Sequence, residues 1–256
     1  MRIMRKSPLE IGAAGLAVLL AQALPALASG AKIEKRTLVW EGKTRVHYLF
    51  VPSGSRPSGP LPLIVTLHGS GRDGESLVSR WRDVAEKEGI VLAGPDSTDS
   101  GHWGTPKDGP AFLRDLVEEV RSNHPIDVRR VYLFGHSAGA LFALQMACLE
   151  SEYFAAAAIH GGALLSSQFA VFDYARRKVP VHMTIGDQDA FFPIADARAT
   201  RDALRDRGFP VELVEMRWHT HDDYGSSGKI NQNAWKFLSK QILPEDPKYT
   251  PYQNPR

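Results

Sequence analysis

A five-residue turn between an apolar strand and an apolar helix constrains this chain more than any other stretch. Val131-Tyr132-Leu133-Phe134 is a short apolar run of strand type, and Leu141 to Leu149 is apolar nearly all round, as in a buried helix. Between them stands Gly135-His136-Ser137-Ala138-Gly139. A chain that passes from strand to helix in so few residues must bend sharply and hold its central residue in strained geometry. The two glycines remove the side chains that would collide there. The serine is thereby lifted into a cleft above the positive end of the following helix. This is the context of a nucleophile elbow.

The rest of the chain alternates strands with helices. Lys32–Glu41 and Thr44–Val51 alternate apolar and polar residues across Gly42-Lys43, which predicts an edge hairpin. Leu63–Leu67 is a near-continuous apolar strand of the kind covered on both faces. Ile90–Ala93, Phe154–His160, Val181–Ile185 and Val211–Met216 read as further strands. Helical spacing of apolar residues runs over Glu75–Glu88, Pro110–His124, Ile194–Arg207 and Lys229–Ile242. Such alternation demands an α/β fold: a mainly parallel sheet of about eight strands, the first pair antiparallel, with helices on both faces. No composition break or internal repeat divides it, so residues 29–243 are expected to form one domain. Residues 244–256 hold four prolines and few apolar side chains and are expected to be disordered.

A serine hydroxyl is a poor nucleophile until a base takes its proton, so an acid and a histidine are expected later in the chain, in loops after strands. The loop after Val181–Ile185 holds Asp187 and Asp189. Asp187 beside Gly186 suits a turn, which leaves Asp189 as the orienting acid. The loop after Val211–Met216 offers two candidate bases, His219 and His221. As a metal pair these two would need a third ligand at a matching spacing, and none is visible, so neither a metal nor a cofactor is expected. The oxyanion formed on attack needs preorganised donors. The backbone N–H groups of Ala138, at the helix start, and Ser70, in the Gly-rich loop His68-Gly69-Ser70-Gly71, are the candidates. Trp103, in a turn-rich loop at a strand's carboxyl end, is a candidate wall of the substrate pocket. His136 and His160 also fall at strand ends near the cleft.

Charge and targeting narrow the partners. Lys and Arg number 31 against 29 Asp and Glu, mixed along the chain, so no basic stripe invites nucleic acid. Arg2, Arg5 and Lys6 precede an apolar run from Ile11 to Leu24, followed by Ala26-Leu27-Ala28. That three-part pattern predicts a secretory signal over residues 1–28 and export to the periplasm or medium, with no membrane association of the mature form. Cys148 is the only cysteine, which excludes an internal disulfide.

The segments "LHGSGRDG", "RRVYLFGHSAGA", "IGDQDAFFP" and "WHTHDDY…AWKFL" together resemble the α/β-hydrolase superfamily in order and spacing. Within it the chain is similar to secreted esterases grouped with polyhydroxybutyrate depolymerases, feruloyl esterases and acetylxylan esterases, over about residues 35–242. The resemblance implies Ser137 as nucleophile, Asp189 as acid, and Ser70 and Ala138 as oxyanion donors. Some relatives carry G-G-H-D, which would favour His219; others carry D-H-S-Y, which would favour His221. Trp218 stands where the first pattern has glycine, and that favours His221. The expected function is hydrolysis of small or extended soluble esters through an acyl-enzyme. A peptidase or acyltransferase on the same framework, and a non-catalytic binding protein, are the alternatives.

Overall fold

Eight strands and five helices make up the computed structural model, which describes residues 31–54, 59–222 and 225–249. The strands are β1 (Ile33–Trp40), β2 (Lys43–Phe50), β3 (Leu61–Leu67), β4 (Val91–Pro95), β5 (Ile126–His136), β6 (Ala156–His160), β7 (Val181–Gly186) and β8 (Val211–Met216). The helices are α1 (Gly74–Glu88), α2 (Pro110–Asn123), α3 (Ala138–Leu149), α4 (Ile194–Asp206) and α5 (Ser227–Leu238), with a 3₁₀ helix over Ser166–Tyr174. The signal expected over residues 1–28 lies outside the described residues, as do residues 250–256.

All eight strands join one sheet in the order β1-β2-β4-β3-β5-β6-β7-β8. β1 with β2 and β2 with β4 pair antiparallel, and every other pairing is parallel. Side chains alternate across the central strands, so the sheet has a core on each face. Leu63, Val65, Leu67, Val131 and Leu133 face α2, α3 and α4, whereas Ile64, Tyr132 and Phe134 face α1 and α5. A parallel strand covered on both sides is apolar along most of its length, and β3, with Thr66 as its one polar side chain, is buried at all seven positions.

The strand order places the site. After β3 the chain moves to one side for β4, then returns to the other side of β3 for β5. The loops leaving β3 and β5 therefore diverge, and a crevice opens at their carboxyl ends. Ser70 and Ser137 sit in those two loops.

Two details differ from the sequence reading. The hairpin turns at Glu41-Gly42, one residue earlier than expected, with Trp40 paired to Lys43. Both central residues have positive φ, 47° and 72°, matching the twist of the strands they join. The described part of the tail, as far as Tyr249, packs against the body of the protein. Leu243 is buried, Lys248 N–H donates to Glu152 O at 3.0 Å, and the Arg114 guanidinium lies 4.4 Å over the Tyr249 ring. These contacts replace the apolar surface that the segment's composition lacks.

Two buried histidines tie folding to pH. Burial, with a smaller push from Arg36, holds His47 in β2 down at about 4. Burial, with neighbouring basic groups, holds His160 at the end of β6 down at about 2. The unfolded chain binds protons at these sites near pH 6.5 and the folded chain does not, so stability is present above pH 6.5 and is lost as pH falls below it. Each contributes a slope of up to about 1.4 kcal/mol per pH unit. The urea midpoint is expected to fall between pH 7 and pH 5, and to fall less in His47→Phe; a midpoint unchanged over that interval would refute this.

Candidate active site

The elbow forms because its glycines let three backbones meet. A methyl group on Gly135 would collide with the carbonyl oxygen of Gly139, and one on Gly139 with the carbonyl oxygen of Leu67. Both obstacles are backbone and cannot rotate away. Gly139→Ala is accordingly expected to cost more than about 4 kcal/mol, in the range of severe core substitutions. A urea titration of that variant matching the parent would contradict it. Ser137 itself has φ 56° and ψ −121°, a strained conformation for a residue with a side chain. Its N–H donates to His160 O at 3.1 Å, which fixes the turn against β6.

Three loops converge on this serine. His221 lies in the segment between β8 and α5, and its Nε2 is 2.9 Å from Ser137 Oγ. Its Nδ1 is 2.9 Å from Asp189 Oδ2, in the loop after β7. The other carboxylate oxygen, Oδ1, accepts from the N–H groups of Phe191 and Phe192, both at 2.9 Å. Asp189 thus accepts through both carboxylate oxygens, with its side chain fully enclosed. An acceptor on the Nδ1 side places the ring proton there and leaves Nε2 to take the hydroxyl proton. The Phe191 and Phe192 rings, centred 4.7 and 5.7 Å from that of His221, shield the imidazole. Such an arrangement can draw the proton from the serine while a carboxylate steadies the imidazolium that results.

His219 goes elsewhere. It is buried, and its Nε2 is 3.0 Å from His160 Nε2. Its carbonyl accepts from Gln188 N–H at 3.0 Å, tying this segment to the Asp189 loop. Asp187, read as a turn acid, has a second task. Its Oδ1 accepts from Trp218 N–H at 2.7 Å, and Trp218 has φ 57°, a left-handed conformation rare for an aromatic residue. The bond helps to hold the bend that delivers His219 inward and His221 to the serine.

The loop after β3 runs over Ser137 so closely that a methyl on Gly69 would sit 3.2 Å from the serine Cβ. Ser70 and Ser137 share one cleft of about 310 Å³, and Ala138 opens α3, where the first N–H groups have no acceptor within the helix. The loop is held from beneath. Ser97 N–H donates to His68 Nε2 at 3.1 Å, so His68 carries its proton on Nδ1 and gives it to Gly69 O at 2.9 Å.

Trp103 packs behind this loop and is not among the residues that line this cleft. Its Nε1–H donates to His68 O at 2.9 Å, and its ring stacks on Phe142 with centroids 5.2 Å apart, so it supports the loop from behind. The reason lies in Asp108, which is buried against Arg45 at 2.7 Å and also accepts from Thr98 and Gly104. That ion pair holds the β4–α2 segment against the sheet. Sequence reading missed Arg72 and Arg80, which line the cleft together with Phe191 and Asp222. Arg72 follows Ser70 by two residues and was legible. Arg80 was concealed on the polar side of a helix.

Residues 99–221 match the dienelactone hydrolase family. A ferulic acid esterase from Anaeromyces mucronatus, solved with ferulic acid, superposes with a TM-score of 0.65 at 16% identity, over 82% of this chain and 90% of that one. The chain has the α/β-hydrolase fold. A poly(3-hydroxyalkanoate) depolymerase of Paucimonas lemoignei is 32% identical over 126 residues, 44% of this chain and 30% of its own. A bifunctional acetylxylan esterase/xylanase of Neocallimastix patriciarum is 32% identical over 108 residues, 40% of this chain and 16% of its own. The chain spans about half or less of the length of the curated relatives it matches. No helix among the described residues is long and apolar enough to cross a membrane.

Proposed function

We propose that the chain is an exported serine carboxylester hydrolase. The observation that carries the reading is the unbroken hydrogen-bonded line from Asp189 through His221 to Ser137, opening into the cleft under Ser70. The esterases among its relatives support the same class. In the proposed reaction His221 Nε2 takes the serine proton as Oγ attacks the ester carbonyl. The developing oxyanion is received by the N–H groups of Ser70 and Ala138, donors worth about 3–4 kcal/mol each in enzymes of this type. His221 then gives its proton to the departing alcohol. A water activated by the same imidazole releases the acid from Ser137.

The excursion between β6 and β7 holds a nine-residue 3₁₀ helix rather than a long lid. The proposed substrates are therefore small or extended soluble esters that reach an open cleft. A panel of acetyl, butyryl, 3-hydroxybutyryl and feruloyl esters, run beside matching amides and alcohol acceptors, tests the assignment. Ester turnover with covalent labelling of Ser137 by a fluorophosphonate is expected. Faster amide cleavage would move the protein to the peptidases, and no labelling would remove it from the serine hydrolases. Exported material is expected to begin near Ser29.

A further inference from the structure

Behind the reacting groups lies a second line of imidazoles that the reaction above does not use. His136, the residue before Ser137, has its Nδ1 3.0 Å from Nδ1 of His160. The other nitrogen of His160, Nε2, is 3.0 Å from Nε2 of His219. The first two rings are nearly parallel, at 14°, with centroids 5.0 Å apart. All three residues are buried, at 9%, 1% and 8% exposure. His160 pairs with His136 in the sheet and with Thr184 on its other side, so it is the middle member of both the strand ladder and the imidazole line.

The line joins parts that are far apart in the chain. His136 belongs to the strand that carries the nucleophile. His219 belongs to the loop that carries His221, two residues on, and its carbonyl is bonded to the acid loop at Gln188. The His136 ring also lies 5.0 Å from that of His221, tilted by 35°. We infer that His160 is a positioning residue whose two ring nitrogens brace the base-bearing loop against the nucleophile strand and so set His221 over Ser137. The inference rests on the proposed reaction for the meaning of that alignment.

The chemistry of imidazole makes the brace directional. A neutral ring has one N–H and one acceptor nitrogen. If His160 carries its proton on Nδ1, it donates to His136 and accepts from His219; if on Nε2, it accepts from His136 and donates to His219. Either way the three rings share one sense, and a change of tautomer in one shifts all three. Burial is the main cause that keeps the ring uncharged, and the groups that face His160, namely His136, His219 and His221 together with Arg80 of α1, are all basic and add to it. A neutral line is what the site needs. A charged His136 at this distance would oppose the imidazolium that His221 becomes in every turnover.

His160→Leu removes both bonds and His160→Gln can restore the one to His219. Misplacing a reacting group by about 1 Å costs about 100-fold in rate. His160→Leu is expected to lower kcat by about 10- to 100-fold with KM within about 3-fold. The acid limb of kcat/KM should change from one proton to two, as His136, released from His160, takes up a proton beside the base. His160→Gln should recover most of kcat while keeping the two-proton limb, because only the bond to His219 returns. Parent kcat and an unchanged limb in His160→Leu would overturn the proposal. So would equal losses in both variants with the limb unchanged, which is the result of packing alone. ¹⁵N NMR of the imidazoles in the unaltered protein is the arm that needs no variant. Three neutral rings at pH 7, protonated in one common sense, are expected; a charged His160 or opposed tautomers would overturn the brace. Ser137→Ala run in parallel keeps the two ideas apart: full turnover there removes the proposed reaction, while the NMR result still decides the brace.

Discussion

Ser137→Ala is expected to lower kcat/KM for p-nitrophenyl esters by about 10⁴-fold or more while leaving the fold intact. The hydroxyl is the group that would form the covalent bond, and no neighbour replaces it. His221 Nε2 is bonded to that oxygen, and the remaining imidazoles nearby are engaged with one another. Some rate enhancement over water should remain, because the Ser70 and Ala138 amides and the cleft survive the change. The variant should also resist a fluorophosphonate that labels the parent. Removing Oγ relieves no strain in the backbone, since φ 56° is imposed by the turn, so its unfolding midpoint should stay close to that of the parent. Retained turnover in the alanine variant would exclude the proposed chemistry.

The second large effect is at His221. His221→Ala is expected to cost as much as Ser137→Ala, and the double variant no more than either alone. Groups that act as one unit are strongly non-additive: a serine without its base is nearly as inert as no serine. Steady-state kinetics on the two single variants and the double variant measure this directly. Additive losses would mean that serine and imidazole act independently, against the 2.9 Å contact between them. The phenyl rings beside the imidazole bear on the same test. With Phe191 and Phe192 holding water off one side, exogenous imidazole should rescue His221→Ala only weakly.

Much of this site could be read from the chain. Gly135-x-Ser137-x-Gly139 between an apolar run and an apolar helix has few folded solutions, because only glycine tolerates the backbone contacts that so short a reversal demands. The loops after β7 and β8 announced themselves by polar residues at the ends of apolar strands. Length and alternation were sufficient for the sheet and for its two-sided core. Boundaries were less accessible. α5 ends at Leu238, four residues short of the expected Ile242.

Other assignments needed three dimensions. His219 and His221 have the same chemistry and stand two residues apart, so only the bend at Trp218, secured by Asp187, decides which imidazole meets the serine. Trp103 looked like a pocket wall because its loop lies at the correct end of the sheet; the direction of its side chain depends on the buried Asp108–Arg45 pair, whose members are 63 residues apart. The line through His136, His160 and His219 was equally hidden, since parallel pairing of β5 with β6 aligns its first two members and a distant loop adds the third. Local sequence determined the sharp turn, the strand and helix periods and the kinds of reactive group on offer, because these follow from backbone sterics and from burial repeated every two or 3.6 residues. The pairing of those groups was decided by tertiary structure, because hydrogen bonds between side chains depend on angles and ångströms set by strand order, loop bends and the ion pairs beneath them.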